Sequence, residues 1–268
     1  MKDDIRDIAA YYDFDPEKEH ERLSVHQLEY DLTLRILARY LPVKGNLLEI
    51  GAATGRYTLP LVEQGYALTA MDLSHRQIRF CQGRLREAGL IDSIHFMVSD
   101  ARCLSLKKEQ SYDAALLMGP LYHLIEFEDR QRALREVFNR LKPEGMIFSA
   151  FISRFGIMGD LMKNIPDWIE KGAEVDSILE EGRDTYHESE GFRGYFATVD
   201  EITPLHESMG FDTVALLGVE PAISADDESY NRLEVRQREL WLDLFERISG
   251  EPSILGASRH LLYIGKKQ

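Results

Sequence analysis

Apolar and polar positions along this chain fall into two periods that trade places repeatedly. Residues 3 to 13 read as a short helical arm ending in Tyr11-Tyr12-Asp13. Ser24 with Gln27 resembles a helix start, and Val25, Leu28, Leu32 and Ile36 then recur at helical spacing to about Tyr40. Pro42 and Gly45 break that run. Short apolar stretches follow at Leu47–Ile50, Tyr66–Met71, Ile94–Val98, Tyr112–Met118 and Met146–Phe151, each bounded by turn residues. Helical patterns lie between them at about 55–64, at 74–88 closed by Gly89, and through Leu134, Val137, Phe138 and Leu141. Alternation of this kind predicts a parallel sheet with helices on its faces. From 154 to 200 it lapses into helix and loop around Pro166, Trp168 and Gly182, with an acidic run from Glu174 to Glu190. It resumes with a capped helix from Thr198 to Met209 and a strand from Asp212 to Val219. A long helix over 227–249 follows, with Leu233, Leu240, Leu244 and Ile248 on its apolar face, and a last strand spans His260–Gly265.

The first of these strands ends in the most informative turn. Glu49-Ile50-Gly51-Ala52-Ala53-Thr54-Gly55 places an acid and two glycines where a strand passes into a helix. Glycine serves where the chain turns sharply or lets a ligand approach closely. A dinucleotide G-x-G-x-x-G pattern needs glycines at 51, 53 and 56, where the chain has Ala53 and Arg56. The form acid-x-G-x-(G/A)-x-G fits instead, and it resembles motif I of the class I S-adenosylmethionine (SAM)-dependent methyltransferases. Further features fall where that likeness needs them. Asp72 ends the second strand, 21 residues after Gly51, at the spacing of an acid that bonds ribose hydroxyls; it also stands where a helix-capping acid would, beside Ser74 and Gln77. Asp100 with Ala101 follows the third strand, where the family commonly binds adenine; an Asx turn explains the same residue locally. Met118-Gly119-Pro120-Leu121-Tyr122-His123-Leu124 resembles motif IV of a bacterial branch of small methyltransferases.

The likeness implies an α/β, Rossmann-like sheet of seven strands, mostly parallel with the last antiparallel, and helices on both faces. It implies one domain: a helical arm (1–45), a SAM-binding core (46–153), an insertion serving as lid and acceptor site (154–200), and C-terminal strands and helix completing the sheet (201–268). Cofactor contacts are then expected from Tyr12, Arg22, Glu49, Gly51, Ala52, Ala53, Gly55, Asp72, Leu73, Asp100, Ala101, Met118 and Gly119. Arg22 and Arg56 are alternatives for the cofactor carboxylate, since the guanidinium fork suits one. His123 and Tyr122 are the catalytic candidates. An imidazole titrates near neutrality, so His123 suits a base; it equally suits a ring that only lines the site.

Composition narrows the partners. A net charge of −14 argues against the basic face that nucleic acid requires. No apolar run approaches the roughly 18 residues of a membrane span, and the acidic start MKDDIRDIAA carries no secretory pattern. The two cysteines form no C-x-x-C, and Cys81 shares a helical face with Ile78 and Leu85 as a small buried hydrophobe. A cytoplasmic protein is expected. The eight histidines show no metal-ligand spacing, so no metal is expected. These readings converge on SAM-dependent methylation of N or O in a small molecule, releasing S-adenosylhomocysteine (SAH). A peptide or RNA methyltransferase and a SAM/SAH-binding module without turnover remain alternatives. Tyr186, His187, Phe192, Tyr195 and Phe196 are read as lid residues or as the insertion's own core, and Glu220 as a strand end facing the acceptor.

Overall fold

The computed structural model describes residues 4–106, 111–184, 193–221 and 227–268. Helices α1 (Arg6–Phe14), α2 (Pro16–Val25) and α3 (Gln27–Tyr40) precede strand β1 (Asn46–Ile50). Then come α4 (Thr58–Glu63), β2 (Ala67–Asp72), α5 (His75–Glu87), β3 (Ile94–Val98), β4 (Tyr112–Leu117), α6 (Pro120–His123), α7 (Phe127–Arg140) and β5 (Leu141–Ser153). The insertion holds α8 (Met158–Asn164), a 3-10 turn (Pro166–Glu170), α9 (Gly172–Glu181), β6 (Arg183–Asp184) and β7 (Gly194–Ala197). The chain closes with α10 (Val199–Glu207), β8 (Phe211–Gly218), α11 (Asp227–Asn231), α12 (Val235–Ile248), α13 (Pro252–Ala257) and β9 (His260–Lys267).

Strands β3, β2, β1, β4 and β5 lie side by side and run parallel. β9 runs antiparallel between β5 and β8, where an NAD-binding domain would continue in parallel. That set of seven is the expected sheet. Among the described residues the insertion extends it to nine strands, because β7 pairs with the end of β5 and β6 pairs with β7. The sheet is apolar on both faces, as parallel strands flanked by helices must be. Leu47, Ala114, Leu116 and Phe148 meet one helical layer, and Leu48, Ala115, Leu117 and Ile147 the other. Chain order reverses between β1 and β4, so a crevice opens beyond their carboxyl ends.

Several local expectations are corrected. Ser24 caps nothing: it lies inside α2, its hydroxyl donating to the Glu21 carbonyl, and α3 starts after His26. Val25 is accordingly exposed. The helix expected over 227–249 breaks into α11 and α12. Leu240 and Leu244 face outward, while Leu242 and Phe245 are buried. Arg35 of α3 fixes that rotation by bonding Glu239, Asp243 and Glu246 along α12. The insertion is also better anchored than its acidic sequence suggests. Ile157, Leu161, Trp168, Ile178 and Phe196 form a third apolar cluster with Ile152 of β5. Tyr195 is buried in the main core, and Arg130 lies 3.5 Å above its ring. Tyr186, His187 and Phe192 fall outside the described residues.

Candidate active site

The crevice continues into a cavity of about 480 Å³ that passes under the N-terminal arm and reaches the insertion and the ends of the antiparallel β8–β9 pair. Its nearer part is built from the β1 turn. Gly51 and Gly55 both have φ of +82°, and Ala53 has φ of +46°, a region glycine enters freely and alanine only at a cost. The Gly51 and Ala52 N–H groups donate to the Met71 carbonyl, which ties the turn to β2. A Cβ at Gly51 would lie 2.7 Å from Pro120 Cδ, so the turn is packed directly under the loop after β4.

Asp72 stands at the tip of β2. Its carboxylate accepts from the Ala53 N–H and the Ser74 N–H, both at 2.8 Å, and burial pushes it up to about 6. Ser74 meanwhile caps α5 by accepting from the Gln77 N–H. The capping and cavity-facing roles of this corner therefore coexist. Asp100 lines the cavity and also closes an Asx turn, accepting from the Arg102 N–H at 2.8 Å while Arg102's guanidinium grips the same carboxylate. Leu73, Ala52, Ala53, Ala101, Met118 and Gly119 complete this wall.

Two expected contact residues are absent from the lining. Glu49 is 1% exposed and points away, its carboxylate accepting from the Thr58 hydroxyl at 2.6 Å. Gly55 sits behind the turn, where an added Cβ would meet Cys81 Sγ at 2.5 Å. Both shape the turn from behind. Of the two arginines, Arg22 lines the cavity paired with Glu19 through two bonds of 2.7 and 2.8 Å. Arg56 also lines it, bonded to Glu29 and to the His26 carbonyl, over the Tyr30 ring.

Over this wall lies the arm. Asp13 accepts from the Ser74 hydroxyl at 2.5 Å and from the Arg76 N–H at 3.0 Å, and Gln77 donates to the Tyr12 carbonyl. Tyr12 thereby comes to face α6. Its hydroxyl lies 2.8 Å from His123 Nε2, and His123 Nδ1 lies 3.0 Å from the Arg193 carbonyl. Tyr122 packs beside the imidazole, ring centroids 4.8 Å apart. The titration expected of His123 is corrected here. Burial, aided by Arg22 and Arg193, pushes it down to about 4, so the ring is neutral at neutral pH.

The far end carries groups that sequence reasoning left without a role. Arg259 is 6% exposed. It donates to Glu220 through Nε and Nη2, and to Asp160 of α8 through Nη1 at 2.6 Å. His260 Nδ1 lies 2.5 Å from the same Glu220. Burial alone would raise Glu220, but His260 and Arg259 hold it well below the usual carboxylate range. His26, Glu220 and Asp227 converge closely enough to suggest a metal site. Arg259 Nη2 lies 3.0 Å from His26 Nδ1 and 3.6 Å from Asp227, so a guanidinium already supplies the cation there. Residues 26, 160, 220 and 259 come from four separate stretches of the chain, and no local period links them.

The strand order and a crevice with an acid at the tip of β2 match a known architecture. Residues 47–145 fit the family model described as a methyltransferase domain. Residues 47–145 are a methyltransferase domain. It is 28% identical over 128 residues to the candidate methyltransferase YqeM of Bacillus subtilis, covering 48% of this chain and 51% of that protein. It is 31% identical over 114 residues to a ubiquinone biosynthesis O-methyltransferase of Caulobacter vibrioides, covering 42% and 43% of the two chains. The chain thus spans about half the length of the curated relatives it matches. Among solved structures, a SAM-dependent methyltransferase of Methanosarcina mazei superposes with a TM-score of 0.61 at 22% identity, over 87% of this chain and 96% of the other. That likeness extends the shared fold beyond the matched domain. No helix among the described residues is long and apolar enough to cross a membrane.

Proposed function

We propose that this protein transfers a methyl group from SAM to a nitrogen or oxygen of a small molecule. The observation that carries the reading is the single cavity joining the Asp72 corner to His123 and on to Arg259. Its volume lies within the roughly 300–1,000 Å³ of small-ligand sites, and Ile5, Ile8 and Tyr12 of the arm line one side of it.

The residues present fit SAM. Asp72 offers ribose hydroxyls an acceptor that two N–H groups already hold in place. Gly51 lets the turn pack directly against Pro120 along the cavity wall, where a side chain would collide. Gly51, Ala52, Ala53, Asp72, Leu73, Asp100, Ala101, Met118 and Gly119 are proposed to hold the cofactor, with Tyr12 and Arg22 closing over it. SAM supplies an electrophilic methyl group, so the protein has chiefly to align an acceptor with it. Alignment of this kind is worth roughly 7–11 kcal/mol. Tyr122 and His123, at the end of the β4 loop, are proposed to border the transfer point. The far wall around Asp160, Arg259 and His260 is proposed to hold the acceptor.

The test is calorimetry with SAM, SAH and NAD, followed by a mass-spectrometric screen of metabolites with isotope-labelled SAM. Binding of SAM and labelling of a small molecule are expected. Tight NAD binding without SAM overturns the assignment. Labelling only of protein or RNA overturns the acceptor class, and SAM binding with no labelling points to a module without turnover.

A further inference from the structure

His123 is held from two sides by parts of the chain that are far apart in sequence, and the chemistry of those partners fixes its state. The Arg193 carbonyl can only accept, so Nδ1 at 3.0 Å must carry the ring proton. Nε2 then holds the lone pair, and the Tyr12 hydroxyl at 2.8 Å must donate to it. The basic nitrogen of His123 therefore faces a phenol rather than the open cavity. Tyr12 itself lines the cavity, and its oxygen keeps acceptor capacity after donating.

From this geometry we propose that Tyr12 and His123 act as one proton-accepting pair, in which the Tyr12 oxygen meets the acceptor and His123 stands behind it. This rests on the methyltransferase reading above. The acceptor's X–H proton passes to Tyr12 Oη, the proton that Tyr12 carried passes to His123 Nε2, and the X–H electron pair remains on X for the new bond to carbon. The Tyr12 hydroxyl is restored and an imidazolium is formed, its Nδ1–H still bonded to the Arg193 carbonyl. The sulfonium's positive charge is lost in the transfer as the imidazolium's appears, so the site holds the same net charge before and after. That removes one objection to a buried cation at this point.

The same geometry makes Arg193 the positioning residue for the pair. Its backbone carbonyl sets the tautomer of His123. Its buried guanidinium bonds the Asp4 carbonyl and pairs with Asp7 at 3.0 Å, on the arm that carries Tyr12. One residue of the insertion thus fixes both members. Arg22, Asp7, Tyr11, Tyr122 and Glu19 are further charged or titratable groups facing the pair.

The test begins without an acceptor. Nitrogen-15 spectra of histidine-labelled protein, alone and with SAH, should show His123 protonated at Nδ1 and bare at Nε2 across neutral pH. Tyr12→Phe should shift the Nε2 resonance toward that of an unbonded nitrogen, and Arg193→Ala should move it the same way by loosening the arm. Because Tyr12 is also proposed to close over the cofactor, calorimetry with SAH measures any loss of cofactor binding in Tyr12→Phe, and kcat is read at saturating SAM. With the acceptor found by the labelled-SAM screen, kcat of Tyr12→Phe should fall on the order of 10²-fold, the lower end for general base catalysis, with KM little changed. An Nε2–H tautomer, an unmoved Nε2 resonance in Tyr12→Phe, or normal kcat in that variant overturns the pair. An unmoved resonance in Arg193→Ala alone removes Arg193's role. Failure of SAH to bind the wild type overturns the methyltransferase reading itself, while the tautomer measurement still judges the geometry.

Discussion

The Glu49 carboxylate and the Thr58 hydroxyl meet at 2.6 Å beneath the glycine turn, both side chains fully buried. Burial is the larger influence and pushes Glu49 from 4.5 up to about 8, against the lowering effect of the Thr58 bond. Glu49 is thus a neutral acid that braces β1 against the start of α4.

A pH dependence follows from this pair. Between about pH 4.5 and 8 the folded chain keeps a proton on Glu49 that the unfolded chain has released. Its contribution is therefore complete below pH 4.5 and lost as pH rises through about 8. Glu49→Gln, which mimics the neutral acid, should lose this dependence. Thermal melts at pH 5 and pH 9 should show a smaller drop for the variant than for wild type. Parallel pH curves for the two proteins would contradict a raised Glu49.

Asp72 should behave differently, because the form proposed to bind ribose is the charged one. With its carboxyl raised to about 6, protons compete with ribose hydroxyls below that pH, so SAM affinity should decline as pH falls from 7 to 5. Asp72→Asn should weaken binding by about 1–3 kcal/mol at pH 7, the range for hydrogen bonds to a charged group, and remove the decline. Calorimetry across that pH range decides the matter. A steep decline retained in Asp72→Asn would assign it to another group.

What the sequence made legible was what local rules encode. The β1 turn, the acid at the tip of β2, the α5 cap at Ser74 and the helix start at Thr198 all stand where short-range patterns placed them. The errors have physical causes. Ser24 and Gln27 satisfy a capping pattern, yet Asp15 and Pro16 start a helix earlier and carry it through Ser24. Leu240 and Leu244 hold helical period, but Arg35 and three acids of α12 turn a different face inward. The Tyr12–His123 contact spans 111 positions and the Arg259–His26 contact 233. No period or spacing in one sequence reports such meetings.

The Glu220–Arg259 pair gives a prediction about the far wall. Removing one partner of a buried ion pair leaves the other uncompensated and costs roughly 3–5 kcal/mol. Asp160 still accepts from Arg259 Nη1 in Glu220→Gln, so the loss should lie near the lower end, on the order of 3 kcal/mol. Urea unfolding measures it. SAM affinity should change little, because Glu220 is not part of the Asp72 corner. Acceptor KM should rise, because Arg259 and His260 both line the cavity and both lean on Glu220. A rise in SAM Kd with unchanged acceptor KM would place the acceptor elsewhere.

Gly51 and Gly65 allow backbone strain to be separated from site geometry. Both have positive φ, +82° and +88°. An added Cβ at Gly65 meets nothing within 4 Å, whereas at Gly51 it lies 2.7 Å from Pro120 Cδ. Gly65→Ala should therefore cost only the left-handed backbone strain, about 1 kcal/mol, and leave SAM binding intact. Gly51→Ala carries similar strain and must also move Pro120, hence the loop bearing Tyr122 and His123. Its stability loss should exceed that of Gly65→Ala, and its SAM affinity should fall at least tenfold. Paired thermal melts and calorimetry on the two variants test this directly. Equal SAM affinity in both would mean that the β1 turn yields to a methyl group, and that close approach at Gly51 is not what the site requires.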